Sequence, residues 1–248
     1  MTRRYFFLPL FALSALTAQS TQAEVFHFGS VDWPPYTDST LPDGGVFTAI
    51  VRAALAAEGH GMEVSYQPWL RTVRDVSNNP DAAGAFPIYS EDLGLEDGFS
   101  PSPPLMHSPL GLAERTAYPL RDWQTVEGLN PYRIGVVLGY SNGVAFDAAM
   151  ESRKLWTEVA PNDLANLRKL ASGRLDAAVV DQIVLAHFQR QHAKELNGIR
   201  FHRRLLEMKD LHVAFKITTT GQRAQESLLR GLAKIDPDLI AREWFCQQ

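Results

Sequence analysis

Three groups of residues in this chain have the types and spacing to do chemistry. The first is a carboxylate, Asp181, that closes the apolar run "AAVV" at 177–180, with a second acid, Asp176, just before it. Strand side chains alternate faces, so positions five apart point to opposite sides of a regular strand. The second is "GYSNG" at 139–143. It fits G-x-S-x-G, follows a predicted strand and opens a predicted helix, as a hydrolase nucleophile elbow does, and Asp181 and His212 follow in triad order. The same residues also read as a glycine-flanked turn whose N–H groups cap a helix and attract an anion. No upstream oxyanion motif of the HGGG kind accompanies it, which favours the turn. The third group is aromatic: "VDWPPYT" (31–37) and "QPWLR" (67–71) place Trp33, Tyr36 and Trp69 just after strands. Ends of parallel strands are where α/β proteins hold ligands, and such a box has cation–π capacity for an amine.

Other chemistries find no support. Of the seven histidines, His187 and His192 are five apart and share no helical face, and no Glu or Cys stands at ligand spacing. No Gly-rich loop matches a P-loop or dinucleotide fingerprint, so no metal or cofactor is expected. The net charge is −4, and more negative without Arg3 and Arg4. Nucleic-acid binding needs a clustered basic face, so it is not expected. "FHRRL" around Arg203 and Arg204 reads as a solvated edge. Cys246 is the only cysteine, so stability must come from packing.

The elements that must position these groups alternate strand-like and helix-like, which favours an α/β fold with largely parallel sheets. Strands are expected at 24–30, in "MEVSYQPW", and in "AAGAFPI". A helix over 44–61 puts Phe47, Ile50, Val51, Ala54 and Leu55 on one stripe, and "LRTVRDVSNNP" is a second helix. Residues 90–109, rich in proline, read as a surface loop. From "LGLAER" (110–115) a second strand-helix series runs through "YRIGVVLGY", "LWTEVA" and the 177–181 strand. Asn162 or Asp163 caps its helix "NDLANLRKLASGR", and Gly173 ends it. "LHVAFKI" (211–217) and two helices complete the chain. Periodicity leaves open whether these last helices extend the second series or return to cover the first.

Residues 1–23 carry a basic start, a short apolar stretch and a polar tail ending at Ala23. That is the pattern of a cleavable secretory signal peptide, although a retained anchor is the alternative. The remainder is expected to be soluble.

With these segments in order, the chain resembles the exported solute-binding proteins of family 3, the amino-acid-binding class of ABC-transporter receptors. "WPPYTD" is similar to that family's opening segment. "VSYQPWLRTVRDV" followed by "DAAGAFPI" is similar to its strand, aromatic, helix and next strand. "DLANLRKLASGRLDAAVVDQIVL" is similar to its helix, Gly-Arg turn, Asp-Ala strand and terminal Asp. The resemblance implies a two-lobed type II periplasmic-binding-protein fold with two hinge crossings, near 112–114 and 213–215. Lobe 1 would be 24–112 with 215–248, and lobe 2 would be 113–214. It implies a monomeric periplasmic binding protein, not an enzyme, that captures a small polar molecule for a membrane permease of an ABC importer.

By position, Asp181 matches the carboxylate that holds a ligand ammonium. Tyr140, Ser141 and Asn142 match the helix-N-terminal loop that contacts a ligand carboxylate, and Tyr36 and Trp69 match wall positions. Trp33 and Tyr89 join this candidate set. The chain departs from the family where an Arg normally clamps the α-carboxylate, for "PIYSEDLGLED" carries acids or leucine there. Arg71 is the candidate substitute, its alternative being an ordinary helix-surface residue. The rival readings are an exported enzyme, either a Ser141 hydrolase or a dehydratase on a related fold, and a ligand sensor for a separate partner.

Overall fold

The computed structural model describes residues 23–89 and 98–247. Residues 1–22, which hold nearly all of the signal peptide expected at 1–23, and the acidic stretch at 90–97, where the clamping Arg was sought, lie outside the described residues. Strands β1 (Val25–Ser30), β2 (Gly61–Tyr66) and β3 (Ala82–Tyr89) pair in parallel, with β1 central. Helix α1 (Val46–Ala57) connects β1 to β2, and α2 (Trp69–Asn78) connects β2 to β3. Every residue of β3 is buried, as a strand covered on both faces by helices must be.

A second parallel set follows: β6 (Arg133–Val137), α3 (Val144–Glu151), β7 (Trp156–Ala160), α4 (Asp163–Ala171), β8 (Ala177–Asp181) and α5 (Gln182–Gln191). Two long antiparallel strands join the sets: β5 (Met106–Arg115) and the 18-residue β9 (Ile199–Lys216). The described strands form one curled sheet in the order β2-β1-β3-β9-β5-β8-β6-β7, with β4 (Phe99–Pro101) also on β9. The partners change partway along. β3 meets β9 only as far back as the Tyr89–Leu211 pair, and β8 meets β5 only from the Leu110–Asp181 pair. Between these points, Met106 to Pro109 pair with β9 alone. This two-stranded ribbon between two lobes is the least supported part of the sheet.

The C-terminal helices α6 (Thr219–Leu232) and α7 (Pro237–Cys246) return to the first lobe and pack on α1. That answers the question periodicity left open. Gly231 permits the approach, since a Cβ there would lie 1.8 Å from the Ala54 carbonyl oxygen. Arg230 and Lys234 close the contact on Glu58, at 2.7 and 2.6 Å.

One local expectation is corrected and another holds. The segment at 90–109 is not all loop, since β4 and the start of β5 lie in it. Pro109 is tolerated in β5 because β8 has not yet begun to pair there, so one edge needs no N–H donor. "FHRRL" lies within β9, on a stretch that pairs with β5 alone and leaves Arg203 and Arg204 exposed, the solvated edge expected of it. Arg203 pairs with Asp122, and Arg204 lies 5.2 Å from the Trp123 ring centroid.

Candidate functional site

The loop after β1 is a tight turn. Trp33 and Thr37 exchange backbone hydrogen bonds (2.6 and 3.2 Å), and the Thr37 hydroxyl donates to the Val31 carbonyl at 2.7 Å. The turn stacks the Trp33 indole on the Tyr36 ring, 4.6 Å apart and 25° from parallel. Trp33 then meets Tyr89, at the end of β3, edge-on at 6.1 Å. It meets Tyr140, from the loop after β6 in the other lobe, edge-on at 6.4 Å. These are favourable aromatic geometries. Trp69, the first residue of α2, completes a cavity whose other walls are Val31, Pro87, Ile88 and Leu211. Its volume is about 30 Å³, room for one or two waters.

A buried polar cluster lies at the ribbon beside this cavity. Asp181 is 1% exposed. Its Oδ1 accepts from the backbone N–H groups of Ile183 and Val184, at 2.6 and 2.9 Å, which makes it the N-cap of α5. Its Oδ2 accepts from the Ser108 hydroxyl at 2.6 Å and the Tyr36 hydroxyl at 3.1 Å. Tyr36 also lies 3.2 Å from the His107 carbonyl oxygen. Ser108 gives its proton to Asp181 and so accepts from Tyr89, at 2.9 Å. Burial pushes the Asp181 carboxyl up to about 6, against the pull of these donors. Burial, then the Asp181 charge, hold the Tyr36 hydroxyl well above its ordinary range. Lys209, opposite Ser108 in register, is buried with Nζ 3.3 Å from Glu207 and 5.2 Å from the Tyr89 ring centroid.

On the second lobe, the 139–143 loop closes on its own helix. Asp147 accepts from the Asn142 N–H (2.9 Å), the Asn142 amide (2.9 Å) and the Ser141 hydroxyl (3.2 Å). His212 instead holds the Ser102 carbonyl, 2.8 Å from its Nδ1. Ser141, Asp181 and His212 therefore each have other partners, and the triad order in the sequence does not become a triad in space. Arg71 is exposed on α2. Asp176 binds Arg133 through Nε and Nη2, both at 3.1 Å, and the Arg133 backbone N–H at 2.9 Å, a structural clamp. Among the described residues no cluster of three or more His, Cys, Asp or Glu side chains is placed to hold a metal.

The fold thus brings together Trp33, Tyr36, Trp69, Tyr89, Tyr140 and Asp181. It ties Ser141 and Asn142 to Asp147 of α3 and leaves Arg71 on the surface. Sequence reasoning missed Ser108 and Lys209, which only the β5–β9 register places here. It also read Asp163 as no more than a cap. Asn162 is the cap, accepting from the Ala165 N–H at 2.9 Å. Asp163, the first residue of α4, is 5% exposed, and burial with the nearby Asp181 charge pushes it up to about 7.

No protein-family model and no curated protein sequence matches the chain. Solved structures do. A GluR0 ligand-binding core in complex with L-glutamate superposes with a TM-score of 0.71 at 17% identity, covering 91% of this chain and 99% of that one. An amino acid ABC transporter substrate-binding protein from Streptococcus pneumoniae, bound to L-arginine, gives 0.69 at 16%, covering 90% and 94%. A histidine kinase sensor domain with similarity to periplasmic binding proteins gives 0.72 at 19%, covering 89% and 95%. At these identities the likeness establishes the fold, the two-lobed type II binding-protein architecture with its cleft between lobes.

Proposed function

We propose that this chain is a periplasmic solute-binding protein that captures a small amino-acid-like or amine-bearing molecule by hinge closure. The observation that carries the reading is the meeting of aromatic side chains from both lobes, Trp33 and Tyr140, over one cavity above a two-stranded ribbon. A solute touching both walls favours the closed form because only that form offers both contacts. The leader-like residues 1–23 support export to the periplasm, and the binding-protein folds support delivery to a membrane permease of an ABC importer.

The expected division is 24–112 with 215–248 and 113–214, and the strand pairings support moving it a few residues earlier on both crossings, into the ribbon. The bending residues are those of the ribbon, Met106–Pro109 and their β9 partners, slightly before the crossings that the resemblance implies. A hydrolase based on Ser141 has no support from its partner, Asp147. A sensor role for a separate partner is the second reading, favoured by the kinase sensor fold.

A thermal-shift screen tests the proposal, using L-arginine, L-glutamine, L-glutamate, agmatine, putrescine and choline. A true ligand at 100 times its dissociation constant adds about 2.7 kcal/mol of stability. The expected result is a stabilising compound whose effect disappears in Trp33→Ala. No shift with any of them at millimolar concentration counts against the reading. Uptake in a strain lacking the gene separates import from sensing.

A further inference from the structure

We infer that the second lobe carries a site for a small oxyanion, a free phosphate- or carboxylate-bearing molecule, held by Arg200, His202 and Arg203. The site is separate from the solute cleft, for it lies at the opposite end of the β5–β9 pair from the ribbon.

A break in the strand pairing builds it. Gly111 pairs with Leu205 and Ala113 with Phe201, so His202, Arg203 and Arg204 of β9 stand opposite Leu112 alone. Such a bulge bends its strand and re-aims the side chains. Residues 120–124 hold the bulge in place: Arg203 pairs with Asp122, and Arg204 Nη2 donates to the Gln124 side-chain oxygen at 2.9 Å. Here lies a cavity of about 320 Å³, whose walls include Glu114, Asp122, Arg200, His202 and Arg203. That volume falls at the lower end of small-molecule sites.

The cavity offers more donors than acceptors. Glu114 is 2% exposed, and both its oxygens are taken, Oε2 by the Leu120 N–H and Oε1 by Arg200 Nε, each at 2.8 Å. Arg200 is thereby anchored through Nε, while neither of its terminal nitrogens has a partner among the described residues. Arg203 spends only Nη2 on Asp122. His202 is 4% exposed, and its Nδ1 accepts the Arg204 N–H at 3.1 Å, so the proton of the neutral ring sits on Nε2. No described group accepts from Nε2, and this nitrogen is not sealed in the core, so it opens on the cavity that His202 lines. Trp123 steadies the ring, with centroids 6.1 Å apart and 32° between planes. An oxyanion supplies acceptors to all three side chains at once, and the planar guanidinium fork matches phosphate and carboxylate geometry. A cation would meet two arginines and find both Glu114 oxygens occupied.

Side-chain nitrogen NMR tests this, the His202 Nε2–H signal being assigned by its loss in His202→Asn. The probes are inorganic phosphate and succinate, with chloride at matched ionic strength as control. Phosphate or succinate should move the signal saturably, and chloride should not. Arg203→Gln should weaken that binding tenfold or more; its partner Asp122 is exposed, so the variant should melt near the wild-type temperature. Arg200→Gln should weaken it as much, whereas Arg223→Gln, whose side chain pairs with Glu24 on the first lobe, should leave it unchanged. Binding should persist in Trp33→Ala, which tells failure of the cleft from failure of this site. A signal unmoved at tens of millimolar, an equal response to chloride, or a response unchanged in both Arg200→Gln and Arg203→Gln overturns the inference. A response lost in Trp33→Ala also overturns it, by placing the anion in the cleft.

Discussion

The Tyr36 hydroxyl lies 3.1 Å from Oδ2 of Asp181, joining residues 145 positions apart in the chain. One stands in the first lobe's opening loop, and the other ends a strand of the second lobe and caps its helix. With Ser108 and Tyr89 they make one hydrogen-bonded chain that crosses from lobe to lobe through β5. The acid that closes the apolar run therefore ties the two lobes together in this structure.

Removing that hydroxyl should loosen closure. Tyr36→Phe keeps the stack on Trp33 and takes away one donor to a buried carboxylate. A loss of about 1.5–3 kcal/mol is expected in urea unfolding, the range for hydrogen bonds to charged groups. Small-angle scattering of the ligand-free protein should show a larger radius of gyration. An unchanged radius would mean that the contact does not hold the lobes.

Stability should fall as pH rises from about 5 to 8. Asp181 and Asp163 titrate near 6 and 7 when folded, above the ordinary 3.8, so the folded state holds their protons more tightly. Their contribution is greatest below the ordinary value and is lost as pH rises through 6 and 7. His187, lowered from 6.5 mainly by burial, acts oppositely below that value. Subtracting the Asp163→Asn profile from the wild-type profile isolates the Asp163 contribution. Melting temperatures between pH 5 and 8 that differ equally in the two proteins would refute it.

Trp33→Ala should be costly twice over. The indole is 6% exposed and stacked on Tyr36, so truncation should cost about 3–5 kcal/mol of stability. Solute affinity should fall at least tenfold in calorimetry at a temperature where the variant remains folded. Retained affinity would move the solute away from this wall.

Asp176→Ala should separate fold from function. Its carboxyl is held below the usual range chiefly by the Arg133 hydrogen bond, so its contribution is present at neutral pH and lost on acidification. Removing this charge-assisted clamp should lower stability by about 1–3 kcal/mol with solute affinity unchanged. A tenfold affinity change would assign Asp176 a part in the site.

What the chain's local order carries is considerable. Apolar alternation, Gly173, Asn162 and the helix stripe over Phe47 and Leu55 place most strands and helices near their observed bounds. The aromatics of the opening segment and Asp181 are marked as site candidates by following strands. These signals are legible because they depend on side chains within a few positions of one another.

The register of β5 against β9 is not of that kind. It joins Ser108 to Lys209 and Tyr89 to Leu211 by backbone hydrogen bonds between distant segments, which no local pattern encodes. That register decides where the ribbon lies and which hydroxyls reach Asp181. It thereby leaves Asp163, read in the sequence as a helix cap, as the buried acid that no described side chain hydrogen-bonds. The sequence by itself determined which residues could meet a solute. Only the tertiary structure decided which of them were already engaged by the chain itself, because a carboxylate's free capacity depends on donors brought from far along the chain.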